Sequence, residues 1–221
     1  MRYVLPVIHF LNAQTALQEA DVAFACGADG VFLISHHGDD DALFEPATAI
    51  KGRHRDRIVG LNLLGRTAID CLSAVVDLGL DAAWADYAGV TSTHVTAMAD
   101  EIAGVLKTNR ALQFFGSVAF KGQPHEADPA GAALAASNRG MIACTSGSRT
   151  GSAPEFAKIT RMRAALGPET PLAIASGMAP ETVHLYTGAA THFLVSTHVS
   201  RDGYHFDPVR LRQFVSVVTG R

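Results

Sequence analysis

Short apolar runs alternate along this chain with stretches in which apolar residues recur every three or four positions, the pattern of β-strands alternating with amphipathic helices. The first run is Tyr3 to Leu11, with a helix expected from about Thr15 to Cys26. Gly27-Ala28-Asp29-Gly30 ends that helix and opens a second strand that runs to about His36. Ile58 to Leu64 with a helix over Thr67 to Leu78 make the third unit, and Ala82 to Tyr87 with Thr91 to Lys107 the fourth. Leu112 to Phe120 precedes a helix from about Asp128 to Ser137, and Met141 to Thr145 precedes one from Pro154 to Leu166. The seventh strand stops at Ser176-Gly177, where Ala179-Pro180-Glu181 is expected to open a helix; the eighth, His192 to Val199, is closed by a helix from Pro208 to Val218. Eight strands alternating with eight helices predict an α/β fold, a single compact (β/α)8 TIM barrel over residues 1–221 with few insertions. A doubly wound open sheet is the alternative; it calls for about six strands and a Gly-rich first turn, and G-x-G-x-x-G is absent.

In such a barrel the carboxyl ends of the strands share one face, where the chemistry collects. The polar residues that end the apolar runs are therefore the candidates: His9, Asn12, Ser35 to His37, Asn62, Asp86, Ser117, Lys121, Thr145, Ser176, and Thr197 to His198. The junction after the seventh strand has the composition of an anion site. A first helical turn leaves backbone N–H groups free at the positive end of the helix dipole, Gly177 lets a ligand approach the backbone, and Pro180 suits a first turn. Ser196 and Thr197 of the neighbouring strand add hydroxyls to the same corner. The loop Thr145 to Glu155 supplies Gly147, Ser148 and Thr150, donors that can close over an anion or form a mobile lid.

Asn62 breaks an apolar run, so its amide needs a partner or a ligand. Asp86 follows a strand into the mouth and suits general acid/base work if burial raises its pKa; the plainer role is to brace its own loop. Lys121 can pair with a phosphate, carry a Schiff base or lie solvated. His36, His37 and Asp39 offer metal-ligand chemistry, although neither H-x-H nor H-E-x-x-H spacing is present and the acidic residues can instead open the second helix.

Composition narrows the partners. With 48% apolar and 18% charged residues the chain is that of a well-packed protein. A formal charge of -3 with no Lys/Arg run gives no case for nucleic acid. No apolar run reaches the roughly 20 residues of a membrane helix, and the start of the chain has no signal-peptide pattern, so a cytoplasmic protein without membrane insertion is expected. Cys26, Cys71 and Cys144 are odd in number and far apart, as reduced core residues are. No cofactor is expected, and a divalent metal is only the minor alternative. Barrels often pair through their helices, but no helix face is apolar enough to name a homo-oligomer contact.

Several of these stretches together resemble the BtpA family, named for a photosystem I biogenesis protein, within the ribulose-phosphate-binding class of barrels. Those stretches are VGLNLL at Val59 to Leu64, the fifth strand ending with Lys121, CTSGSRTGSAPE at Cys144 to Glu155, ASGMAPETV at Ala175 to Val183, and the closing segment Val195 to Val215. The chain departs from the family's pattern on the catalytic face. Ser196 stands where the last strand commonly has Gly, Ser35 and His36 where an acidic residue and Asn are common, and Asp86 where an amide is common. The resemblance implies a barrel with a phosphate pocket serving a phosphorylated sugar or nucleotide-like molecule, and no defined reaction.

The first expectation is accordingly an enzyme acting on a small phosphorylated metabolite by isomerase, lyase or glycosyl-bond chemistry. Its phosphate would lie on Ser176, Gly177, Ser196 and Thr197 under Gly147, Ser148 and Thr150, with Asp86 as acid/base and Asn62 and Lys121 orienting the substrate. A non-catalytic phosphate-ligand-binding or assembly factor is the second, and a metal-dependent hydrolase using His36, His37 and Asp39 the third.

Overall fold

In the computed structural model, which describes Met1 to Arg221, eight parallel strands pair in chain order. They are β1 (Tyr3–His9), β2 (Gly30–Ile34), β3 (Ile58–Asn62), β4 (Ala82–Ala85), β5 (Gln113–Ser117), β6 (Ile142–Thr145), β7 (Leu172–Ala175) and β8 (His192–Val195). Pairing of β8 with β1, from His192 opposite Tyr3 to Val195 opposite Pro6, closes the barrel. Seven α-helices surround it: α1 (Ala13–Ala25), α2 (Phe44–Arg53), α3 (Ala68–Asp77), α4 (Ala97–Thr108), α5 (Pro129–Ser137), α6 (Phe156–Leu166) and α7 (Pro208–Thr219). No helix is long and apolar enough to cross a membrane.

Local chemistry sets most helix starts. The side chains of Asn12, Thr67, Thr96, Asp128 and Asp207 each accept from a backbone N–H of the first turn they precede, and Pro129 and Pro208 occupy the turn where a missing N–H costs nothing. Asn12, a rim candidate by sequence, is thus committed to a cap. The fourth helix starts at Ala97 and not at Thr91: residues 91–96 form a side loop, tied by a Val90–Val95 bridge and by Thr96 N–H donating to Gly89 O.

The expected eighth helix is absent. Pro180 lies in a turn, and only a short 3-10 turn, Val183–Leu185, follows β7. Residues 176–191 are the shortest of the connections between successive strands, too few to turn, run back along the barrel as an α-helix at about 1.5 Å per residue and turn again.

Two-residue alternation along each strand fills the interior. Leu5, Val7, Phe32, Ile34, Trp84, Phe115, Cys144, Ala173, Ala175 and Leu194 form one buried cluster inside the barrel, while the opposite faces pack under the helices. Phe32 is its centre, edge-on to Trp84 at 6.0 Å and to Phe115 at 5.3 Å between ring centroids. Its space comes from Gly60: a Cβ there would lie 2.4 Å from the Phe32 ring and 2.8 Å from Ala82 O. All three cysteines are buried and free, and burial pushes the Cys71 thiol up to about 11.

Gly60→Ala is therefore expected to destabilise by about 1–3 kcal/mol through overpacking, and by less when Phe32 is first reduced to Leu. Urea midpoints of the two single variants and the double variant measure this coupling; strictly additive effects would show that Gly60 and Phe32 do not share the space.

Candidate active site

The same alternation carries upward to the carboxyl ends of the strands. Continuing the inward series Leu5-Val7, Phe32-Ile34, Gly60 and Ala82-Trp84 by two residues reaches His9, His36, Asn62 and Asp86. Four consecutive strands thus send four polar side chains to one rim, and these meet in pairs. His36 Nε2 and His9 Nδ1 lie 3.1 Å apart with the rings stacked at 5.0 Å. The Asn62 amide donates to Asp86 Oδ1 at 3.2 Å, which gives the amide nitrogen a partner in a residue only 1% exposed. Asp86 itself is exposed at the open mouth, so burial is not available to raise its pKa.

Lys121 enters from the loop after β5. Its backbone N–H donates to Ser146 Oγ, its ammonium donates to Thr150 Oγ1 at 3.2 Å, and it lies 5.6 Å above the Phe120 ring. Beside it, Asp86, Tyr87, Val90, Ala119, Gln123 and Glu126 line part of a cavity of about 550 Å³. Gln123 ties the β4 and β5 loops together, donating to Asp86 O and Ser117 O and accepting from Phe120 N–H. Lys158, on α6, donates from below to Ala119 O and Ser146 O, and burial lowers its pKa to about 8. Ser117 and Thr145 are occupied inside the wall, Ser117 accepting from Trp84 Nε1 and Thr145 donating to Ala119 O.

On the far side of the mouth the corner after β7 and β8 differs from expectation in what approaches Gly177. Without an α-helix there is no helix dipole, and the close neighbour is the chain itself: a Cβ on Gly177 would lie 2.1 Å from the Ser152 carbonyl carbon, and one on Gly147 would lie 2.2 Å from Ser152 O. The loop 147–153 is folded across this corner. Gly151 N–H donates to Ser176 Oγ, and His198 Nε2 donates to Gly151 O at 3.0 Å. Ser176 holds φ of 82°, strained for a non-glycine residue. Even so, the backbone N–H groups of Gly177, Met178, Ser196 and Thr197 make no hydrogen bond within the chain, and the short 3-10 turn Thr197–Val199 follows β8 directly. Ser148 is exposed on the loop, and Thr150 is held by Lys121.

The metal alternative finds no support in the geometry. Asp39 accepts from Ser35 Oγ, His36 turns to His9, and no group of three His, Cys, Asp or Glu side chains is arranged to hold a metal ion. His9 is a rim residue by sequence, but nothing in its neighbourhood along the chain assigns it a role, and the same holds for Ser146, Gln123 and Lys158. Strand parity could have singled out His9; nothing local marks Gln123 or Lys158, whose partners lie on other elements.

No protein-family model matches this chain, and no curated protein matches its sequence. Among solved structures, the chain superimposes on the native KDPGal structure with a TM-score of 0.72 at 12% identity, over 98% of this chain and 97% of that one. Phosphoribosyl anthranilate isomerase from Thermus thermophilus gives 0.68 at 16% identity over 100% and 99%. 3-Hexulose-6-phosphate synthase gives 0.68 at 14% over 98% and 100%. At these identities the likeness establishes the fold, and the resemblance to BtpA proteins rests on the motifs quoted above.

Burial, with His36 and then Lys121 nearby, pushes the His9 pKa from 6.5 down to about 4. An unfolded chain then binds the proton first, so this contribution to stability is intact above about pH 6.5 and is lost as pH falls towards 4. The wild type is expected to weaken across that window in urea titrations, and His9→Asn to weaken less; identical pH slopes would show that His9 titrates normally in the fold.

Proposed function

We propose that the protein is an enzyme acting on a small phosphorylated metabolite of the sugar-phosphate kind. The carrying observation is the set of unpartnered N–H groups on Gly177, Met178, Ser196 and Thr197, placed after the last two strands of a barrel whose opposite rim holds Asp86, Asn62 and Lys121. Backbone N–H groups aimed into one corner are suited to a phosphate dianion, and loops after strands seven and eight with a short extra helix are a frequent phosphate site in this fold. Two of the structural neighbours carry names that include a phosphorylated sugar, which supports the same class here.

In this reading the phosphate rests on the β7–β8 corner, with Gly147, Ser148 and Thr150 in the loop above it. The reacting carbons extend toward β1–β5. Asp86 takes or returns a proton, Asn62 holds that carboxylate by its amide, and Lys121 supplies positive charge where an oxyanion develops. BtpA-like ancestry is compatible with this chemistry and adds no reaction of its own.

Thermal unfolding with inorganic phosphate and ribulose 5-phosphate tests the reading. A ligand at 100 times its dissociation constant stabilises by about 2.7 kcal/mol, a shift of roughly 5–11 °C in a domain of this size. Ser196→Asp should abolish the shift by placing a carboxylate in the corner, while Asp86→Asn should keep it and lose turnover. No shift with either compound in the wild type would remove the phosphate reading, and a shift with unaltered chemistry in Asp86→Asn would remove the catalytic one.

A further inference from the structure

The His9–His36 pair is left without a role by the reading above. Each ring nitrogen in the contact can only complement the other if one carries hydrogen and the other a lone pair. With both rings in the common Nε2–H tautomer, His36 Nε2 donates to His9 Nδ1 across the 3.1 Å contact. The second nitrogen of His9 then carries its hydrogen, and that nitrogen has no partner within the chain. The hydrogen bond on one nitrogen thereby sets what the other presents. His9 continues the inward series of β1 and is half-buried at the rim.

The opposite member of the rim is Asp86. Three strand spacings of about 4.8 Å separate β1 from β4, roughly 14 Å along the wall, and both side chains extend inward from it. His9 and Asp86 thus face one mouth from separate stretches of its wall. We propose that His9, oriented by His36, donates a hydrogen bond and then a proton to the carbonyl oxygen of an α-hydroxycarbonyl phosphate, so that the mouth is built for an isomerase. The proposal rests on the phosphate reading above and adds the reaction class.

The step balances without a further reactant. The Asp86 carboxylate takes the proton from the hydroxyl-bearing carbon. That electron pair becomes the carbon–carbon double bond, and the carbonyl electrons close on oxygen, which takes the proton of His9 Nε2. The neighbouring hydroxyl gives its proton back to His9 as its oxygen becomes the new carbonyl, and Asp86 returns its proton to the former carbonyl carbon. The ring is briefly anionic, and two groups offset that charge: the His36 N–H on its Nδ1 and the Lys121 ammonium, close enough to act on His9 electrostatically. A neutral imidazole is suited to this because its N–H is close in acidity to the enediol hydroxyls with which it exchanges the proton, whereas an imidazolium would give its proton up too readily to take it on and off in turn.

Two measurements decide it. In the protein with no added ligand, ¹⁵N NMR at pH 6 should show neutral His9 as the Nε2–H tautomer, and His36→Phe should shift it toward Nδ1–H; an Nδ1–H tautomer in the wild type overturns the proposal. With dihydroxyacetone phosphate and ribulose 5-phosphate in D₂O, the wild type should exchange the hydrogen next to the carbonyl for deuterium. His9→Gln should slow that exchange 10²–10⁴-fold with the ligand-induced thermal shift unchanged. A thermal shift without exchange in the wild type, or equal exchange in His9→Gln, overturns the isomerase role alone. Absence of any thermal shift overturns the phosphate reading, and this role with it.

Discussion

Closing eight parallel strands into a ring forces every second side chain into one interior of fixed volume, and that volume is settled around Phe32. The ring fits because Gly60 contributes no side chain beside it and because Trp84 and Phe115 meet it edge-on. With the interior full, each strand is fixed in its roll. A strand that rolled by one residue would move its apolar set to the outer face. His9, His36, Asn62 and Asp86 have no freedom to face elsewhere: the aim of the rim follows from the packing beneath it.

The supports of the rim belong to the same frame. Trp84 and Ser117 join β4 to β5 just below the mouth, and Gln123 repeats that link one level higher with three hydrogen bonds. Lys158 holds the carbonyls of Ala119 and Ser146, and Ser146 in turn receives the backbone N–H of Lys121. Ala119 needs such bracing, since its φ of 47° is costly for a residue with a Cβ. The ammonium of Lys158 is neutralised by no carboxylate within hydrogen-bonding distance; its two carbonyl partners offset only part of the burial cost, and its proton is correspondingly easy to remove.

Strand count, order and closure were legible because apolar runs separated by caps leave few alternatives, and Asn62 and Asp86 were legible because each ends such a run. Three features were not. The eighth helix failed because Ala179-Pro180-Glu181 is a good helix opening in isolation, while the length of residues 176–191 is a constraint imposed by the barrel. Gly177 reads as room for a ligand, but a glycine records only that something comes close, and here the backbone of Ser152 and Ala153 does. His36 beside His37 and Asp39 reads as a metal cluster along the chain, whereas its partner His9 lies 27 residues away on the neighbouring strand.

The loop folded over the β7–β8 corner sets a threshold for whatever binds there. Gly151 and Thr150 are held by Ser176, His198 and Lys121, contacts that an incoming anion must compete with or rearrange. Taken at about 1 kcal/mol or somewhat less apiece, they amount to about 2 kcal/mol, or a roughly thirtyfold loss of apparent affinity for a ligand that engages the corner alone. A small free anion has nothing with which to recover that loss. A longer molecule that also reaches the opposite rim does, so under the phosphate reading proposed above the chain's own backbone would act as a filter favouring an esterified phosphate over the inorganic ion.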